Sequence, residues 1–425
     1  MSAMSRLPQE IFDIIVKYLD GDQASLLSCS LVSMAWGSAA RRLLFRSMNI
    51  GNGDTLQEFT TTLSANGSLR FCVKALTVRG YFENPQLSSS LERSEDFKTL
   101  TGVLDKLPNL QSLFLDEVMF ISREAGSLCT STWSIRKLSW KNEHCAACFD
   151  LDYQTQFIDI LHLFHNVEHL TLHLLYLPNL LHIPLQTLPS SLHPKSLTLS
   201  YAMNSSRTDF SICNFLQSAM SFRELRDLTV DLADDDSLWG TGEIIRAAAS
   251  SLHSLTLVIS SGVQRTTADD WNAWTDRYLS PCSSLKSLHF RIRQTARCHS
   301  SDGEGYWSIM TAVANNALWR AIATMLSTIS RSHRGLSIAI FSTLDSLTGV
   351  VSDTSWTLMS NDIWSPFSDA LSESRELKSV RFVGRCTPGN FSSPFESLER
   401  FEAIVREHLG TFFDRGILKV EKEIP

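Results

Sequence analysis

Past residue 50 one short pattern keeps returning, and it constrains the fold of this chain more than any other feature: apolar, two residues, apolar, one residue, apolar. It reads Leu110-Gln111-Ser112-Leu113-Phe114-Leu115, then Val167-Glu168-His169-Leu170-Thr171-Leu172 and Leu225-Arg226-Asp227-Leu228-Thr229-Val230. It returns as Leu252-His253-Ser254-Leu255-Thr256-Leu257 and as Leu285-Lys286-Ser287-Leu288-His289-Phe290. Partial copies centre on Leu76, Leu138, Leu197, Leu336, Val380 and Leu418. In each copy the last two apolar residues alternate with one other residue, the period of a half-buried strand. From Leu113 to Leu288 the centres lie 25, 32, 27, 31, 27 and 33 residues apart; beyond Leu288 the spacing widens to 48 and 44. Helical periodicity fills the intervals at 54–63, 95–106, 153–163, 208–219, 242–250 and 268–278. Ser393-Pro394-Phe395-Glu396 reads as a capping box that opens a further helix.

A helix and a short strand per unit, at a period in the twenties to thirties, resembles a leucine-rich-repeat solenoid. One such unit cannot bury its apolar edge alone, and stacking makes the core continuous. The expected fold class is therefore α/β, with an irregular leucine-rich-repeat-like solenoid (a horseshoe) over residues 49–425. Insertions are expected near 294–306 and 342–366, the second carrying Trp356 and Trp364. The repeat departs from the family form where Asn or Cys is expected after the strand: Val118, Ala233 and Ser260 stand there. A mixed α/β domain without a true repeat is the alternative, and eleven strand-like segments argue against it. Exposed loops are expected at 88–96 and 298–305, and a linker at 49–54, where Gly51 and Gly53 cluster.

The first forty-odd residues are organised differently. Pro8 suits a first helical turn, and Glu10 favours the positive end of the helix dipole. Ile11, Ile14, Ile15 and Tyr18 recur at helical spacing, which makes one face apolar. Gly21 breaks that helix and Asp22 can cap a second. A third carries Trp36 and ends in Arg41-Arg42-Leu43-Leu44-Phe45. A unit this small buries little surface and needs a partner or a neighbouring domain. Leu7-Pro8-x-Glu10-Ile11, Leu19 and Leu31-Val32-x-x-x-Trp36 resemble the F-box, taken as residues 1–48, with Met34 where that family often has a basic residue.

The two parts together are similar to F-box proteins with leucine-rich repeats, of the fungal type. The resemblance implies a non-catalytic substrate receptor of a Skp–cullin–F-box ubiquitin ligase, cytoplasmic or nuclear. A Skp-family adaptor would be held through Leu7, Pro8, Glu10, Ile11, Ile14, Leu19, Leu31, Val32 and Trp36, and the cullin through the adaptor. A target protein would meet the outward strand positions Phe114, Asp116, Thr171, His173, Thr229, Asp231, His289, Arg291 and Arg381, taken from strand alternation. A repeat scaffold without a ligase role is the alternative function.

Composition and motifs narrow the remaining classes. The net charge is −7 and no Lys/Arg run exceeds two, which argues against nucleic acid as a partner. Arg6, Glu10 and Asp13 stand where a secretory leader would be apolar, and the leucine-rich stretch 170–185 is broken by His173, Pro178, His182 and Pro184, so no membrane association is expected. Nine irregularly spaced cysteines fit reduced thiols. No cofactor or metal is expected. His144 and Cys145-x-x-Cys148 lack a second cysteine pair, and His165, His169 and His173 lose their shared helical face if 167–174 is a strand. Asp231 and Asp234-Asp235-Asp236 do not follow calcium-loop offsets and read as a solvated loop. Phosphate loops, nucleophile elbows and zinc-protease motifs are absent. Trp271 and Trp274, at helical spacing, read as core; Trp239, Trp307, Trp356 and Trp364 read as interface aromatics.

Overall fold

The computed structural model describes residues 8–51, 55–80, 95–118, 120–121, 133–142, 159–174, 192–201, 213, 216–217, 220–232, 235–260, 266–293, 318–329, 333, 335–344, 361–373, 377–386 and 394–423. The chain divides into two compact units, Met1–Leu174 and Leu175–Pro425.

The first unit opens with three helices, α1 (Gln9–Lys17), α2 (Gln23–Val32) and α3 (Met34–Leu44). Pro8 sits at the cap of α1 with ψ 148°, one position earlier than a first-turn proline, and its carbonyl accepts from the Ile11 N–H at 3.1 Å. Gly21, at φ +97°, turns the chain in a region that L side chains avoid. Asp22 then caps α2 through the Ser25 N–H at 3.0 Å. Ser33 alone separates α2 from α3; its backbone is extended and its hydroxyl accepts from the Trp36 N–H at 3.4 Å. Gly37 lets α3 approach α2, because a Cβ there would lie 2.9 Å from the Ser30 carbonyl oxygen.

The expected linker at 49–54 is in part a strand. β1 (Ser47–Ile50) begins three residues after α3 ends and pairs in parallel with β2 (Ala75–Arg79). The Arg46 carbonyl between α3 and β1 accepts from the Lys74 and Ala75 N–H groups at 2.8 and 2.9 Å. The helices are thus fastened directly to the first strand pair. α4 (Leu56–Ala65) follows, opened by a reciprocal capping box between Thr55 and Glu58.

The ladder of the first unit continues through β4 (Ser112–Asp116), β6 (Trp133–Asn142) and β7 (Phe164–Leu174), in the order β1-β2-β4-β6-β7, every pair parallel. Two short strands, β3 (Glu95–Asp96) and β5 (Phe120–Ile121), pair with each other, so the end of the loop expected at 88–96 is a strand followed at once by α5 (Phe97–Lys106). The strand reading of 167–174 holds, and it sets the histidines there at strand rather than helix spacing.

The second unit repeats the arrangement with β8 (Ser196–Tyr201), β9 (Asp227–Leu232), β10 (Ser254–Ser260), β11 (Ser287–Arg293), β12 (Ser337–Leu344), β13 (Ser379–Cys386) and β14 (Leu418–Glu423). Each pairs in parallel with the next, and neither run closes on itself. Its helices include α6 (Asp235–Ala248), α7 (Ala268–Trp274), one over 318–329, α8 (Asn361–Glu373) and α9 (Pro394–Asp414). Adjacent strands in chain order require helical or looped crossovers, which pack on the sheet with one hand.

The first-seen pattern lands in register, except that the copy expected to centre on Leu336 is centred two residues later, on Ile338, with Leu336 just before the strand. Leu76, Leu113, Leu138 and Leu170 share one cross-strand row in the first unit. Leu197, Leu228, Leu255, Leu288, Ile338, Val380 and Leu418 share one in the second. All are buried. The backbone repeats as well: the carbonyl of the residue before one strand accepts from the start of the next, as Arg226 does from His253 and Ser254, and His253 from Lys286 and Ser287. At the position where the family form has Asn or Cys, the buried Ser260 hydroxyl donates to the Leu232 carbonyl at 2.9 Å, and Glu117, beside Val118, adopts φ 57° so that its N–H reaches the Lys141 carbonyl at 2.7 Å. Ala233 lies outside the described residues.

Two expectations are corrected here. Asp235 and Asp236 begin α6 instead of lying in a loop. Trp364 is core: it lies in α8 and packs against Trp319, Phe367, Phe382 and His408. Trp271 and Trp274 are buried, as their spacing implies. Trp239 is half-buried against Tyr278, while Trp307 and Trp356 lie outside the described residues.

Candidate functional site

α1 is apolar on two sides, and the structure separates them. Phe12 and Val16 turn inward and form a small core with Leu26, Ala39 and Ala40, with Leu19, Cys29, Ala35, Trp36, Leu43 and Leu44 packed against it. Phe12 and Trp36 meet edge to face, ring centroids 5.2 Å apart. Asp13 and Arg42 (2.8 Å) tie α1 to α3, as do the contacts from the Gln9 amide to the Ala35 carbonyl (3.2 Å) and, through the segments flanking them, Asp20 to Arg46 (3.2 Å).

The other side stays open. Ile11, Ile14 and Ile15 are exposed, with Tyr18 at 87 %, Leu27, Leu31 at 87 %, Val32 at 68 % and Met34 at 94 %. The helices thus bury Phe12 and Val16 yet leave these eight apolar side chains in water, and exposed apolar surface is what interaction sites present. Of the residues expected to hold an adaptor, Pro8, Glu10, Ile11, Ile14, Leu31 and Val32 are exposed. Leu19 and Trp36 lie partly buried in the helix core, and Leu7 lies outside the described residues. Leu27 and Met34 were not among the expected contacts. Their signal was present in the sequence as apolar residues beside Leu31 and Val32, but periodicity alone does not tell an outward apolar side chain from an inward one.

The nine expected target positions lie on the strand ladders of both units, on two cross-strand rows in each unit, offset by two residues. In the first unit one row runs Thr77, Phe114, Ser139, Thr171 and the other Arg79, Asp116, Lys141, His173. In the second unit one runs Thr198, Thr229, Thr256, His289, Ala339, Arg381, Lys419. The other runs Asp231, Val258, Arg291, Phe341, Val383, Glu421. Phe114, Asp116, Thr171, His173, Thr229, His289 and Arg381 are half-buried and Arg291 is exposed. Asp231 differs from the rest: it is buried and engaged.

The electrostatics of the two ladders differ. In the first unit Asp116 lies between Arg79 (3.5 Å) and Lys141 (3.8 Å), and the Lys137 ammonium stands 5.0 Å from the Phe114 ring centre. In the second unit the Arg291 guanidinium lies 5.4 Å over Phe341, whose ring meets His289 edge to face at 5.8 Å. Arg381 reaches Glu421 at 3.3 Å. Burial pushes the His289 imidazole below the usual histidine range, helped by the charges of Arg381 and Arg291.

Among the described residues no group of three or more His, Cys, Asp or Glu side chains is gathered as a metal ion would need, and no helix is long and apolar enough to cross a membrane. His144, Cys145 and Cys148 lie outside the described residues. A family model for the F-box domain matches residues 4–48. No curated protein matches the chain.

Proposed function

We propose, from the premise that this chain is an F-box protein, that it serves as a target receptor within a Skp–cullin–F-box ubiquitin ligase. The F-box in general serves to bind Skp-family adaptors. The observation that carries the reading is the second apolar side of the three helices, from Ile11 and Ile14 to Leu31, Val32 and Met34, left in water by a domain whose core is already complete. Pro8, Glu10, Ile11, Ile14, Leu31 and Val32 touch the adaptor on this reading, as does Leu7, which lies outside the described residues. Leu19 and Trp36 act through the core, holding α1 against α3. The cullin is reached through the adaptor.

The parallel ladders then form a leucine-rich-repeat-like surface for a target protein. The row positions Phe114, Asp116, Thr171 and His173 in the first unit, and Thr229, His289, Arg291 and Arg381 in the second, are the contact positions that each ladder offers on this reading. The chain does no bond chemistry of its own. It raises the local concentration of target lysines near the conjugating enzyme, and rate follows from proximity. The fastening of β1 to the end of α3 supports this, because a receptor must hold its target at a set position. A cytoplasmic or nuclear location fits the thiols of Cys29, Cys72 and Cys282, which form no disulfide.

The test is co-expression of the full chain with a Skp-family adaptor and a cullin, beside a Leu31→Asp, Val32→Asp variant. The intact chain should purify with both partners, and the variant should fold equally well yet lose them. A well-folded intact chain that ignores the adaptor sinks the proposal. Retention of the adaptor without the cullin leaves a scaffold instead of a ligase receptor.

A further inference from the structure

β11, β12 and β13 carry a cluster of a different character from the rest of the ladder. Directly opposed on the two rows stand His289 and Arg291 on β11, the buried Ala339 and half-buried Phe341 on β12, and Arg381 and the buried Val383 on β13. None of these six is acidic, in a chain whose net charge is −7. Phe341 is the platform. Its face takes the Arg291 guanidinium at 5.4 Å, and its ring meets His289 edge to face at 5.8 Å. Arg291 is exposed and has no ion-pair partner among the described residues. Arg381 is shared with Glu421 on β14 at 3.3 Å, with both side chains in contact with water. A guanidinium fork offers five donors, so one exposed carboxylate leaves most of them free. Two strand spacings, about 9.5 Å, separate Arg291 from the Arg381 strand.

We propose that this Arg291–Phe341–Arg381 cluster docks a short acidic peptide segment of the target, with carboxylates on the two guanidiniums and an apolar side chain against Phe341. The proposal rests on the reading of the ladder as a target surface. Charge complementarity selects the occupant. Planar guanidiniums match carboxylates bidentately, and the ring stack holds Arg291 in place before the ligand arrives. The extent of the cluster selects a short segment over a polyanion such as RNA. On the same row Glu421 on β14 is exposed and would repel a long run of phosphates, while Asp231, toward β9, is buried and engaged. Of the other charged residues on this alternation, Lys419 on β14 is level with Arg381, and Arg293 on β11, Arg385 on β13 and Glu423 on β14 come at its next positions. His289 lies within the field of both guanidiniums, which helps to hold it neutral, and a bound carboxylate would favour its charged form.

The experiment uses the full chain and a fluorescein-labelled Asp/Glu-rich decapeptide followed by anisotropy. Saturable binding is expected, weakening at least tenfold as salt rises from about 0.05 to 0.5 M. An Arg291→Gln, Arg381→Gln variant should lose at least tenfold in affinity. Phe341→Leu, which changes no charge, should lose a smaller factor. The His289 imidazole, followed by NMR, should titrate at higher pH with the peptide bound. A Lys-rich decapeptide and a single-stranded RNA decamer should bind more weakly than the acidic peptide. No binding of the acidic peptide, equal binding by the double variant, an unmoved His289 titration or tighter binding of RNA each overturns the proposal. Adaptor capture is measured on the same preparations. Its survival alongside a failed peptide test removes this inference alone, whereas its loss from the intact chain removes the reading beneath it.

Discussion

The three N-terminal helices and the strand ladders draw on the same apolar residue types and dispose of them in opposite ways. In the ladders Leu113, Leu228, Leu255 and Leu288 are sealed, and the residues between them, Phe114, Thr229, Thr256 and His289, face the other way. In the helices a compact set led by Phe12, Val16 and Ala40 does the folding, while Leu31, Val32 and Met34 stand in water. Burying a leucine or valine side chain gains roughly 1.5–3 kcal/mol, so the helices hold back free energy that the ladders spend on their own stability. Apolar content therefore marks stability in one region and a docking surface in the other. A substitution should reveal which by changing the melting temperature or the partner, but not both.

The comparison can be broken at several points. The largest effect is expected in the ladder. Phe382→Ala on β13 removes a fully buried ring from the cluster of Trp319, Trp364 and Phe367. It should cost about 3–5 kcal/mol of stability in denaturant unfolding, with adaptor capture unchanged at temperatures where the variant is folded. Next comes Leu31→Asp with Val32→Asp. Affinity for the adaptor should fall at least about 100-fold, as at interface hot spots, while the melting temperature stays within about 2 °C of the parent, as for surface changes. A large loss of stability there would mean that these side chains do fold the domain, and the contrast would fail. Gly242→Ala on α6 is third. The new Cβ would sit 2.5 Å from the Tyr278 ring, which is buried and held by its hydroxyl donating to Glu243 at 2.8 Å. Overpacking of this kind costs about 1–3 kcal/mol, read by thermal unfolding.

The same contrast explains what could be read from the sequence. The repeated apolar pairs located eleven of the ladder strands, because a side chain that must alternate between core and outside leaves a period-two trace. β1 left none: of Ser47, Met48, Asn49 and Ile50 only Ile50 is fully buried, and the strand is defined by its backbone pairing with β2. Trp364 read as an interface aromatic because it fell within the insertion expected at 342–366. α8 runs through Pro366 all the same, with Trp364, Phe367, Ala370 and Leu371 buried along one side. Their burial offsets the roughly 3 kcal/mol that an interior proline costs. Within each unit the positions expected to meet a target share two rows because strand alternation is geometric. The burial of Asp231 was not legible, since it depends on neighbours beyond its own strand. In α1 the sequence marked Ile11, Ile14, Ile15 and Tyr18 as the apolar face, and the packing against α3 shows that Phe12 and Val16 turn in while those four turn out.

The two smallest predictions separate local order from the partner surface. Thr55→Ala removes one half of the capping box of α4, where the Glu58 N–H donates to the Thr55 hydroxyl at 3.1 Å and the Thr55 N–H to the Glu58 carboxylate at 2.9 Å. The expected cost is about 1 kcal/mol, visible in thermal unfolding and silent in adaptor capture. Arg42→Ala cuts the 2.8 Å ion pair to Asp13 that joins α3 to α1. Both side chains are well exposed, so water and salt screen the pair and its loss should cost under about 1 kcal/mol. The difference should shrink further at high ionic strength. The helix core of Phe12, Val16 and Trp36, not this pair, then accounts for how α1 is held. A cost of several kcal/mol from Arg42→Ala would reverse that assignment and make the polar seam, in place of the apolar one, the support of the docking face.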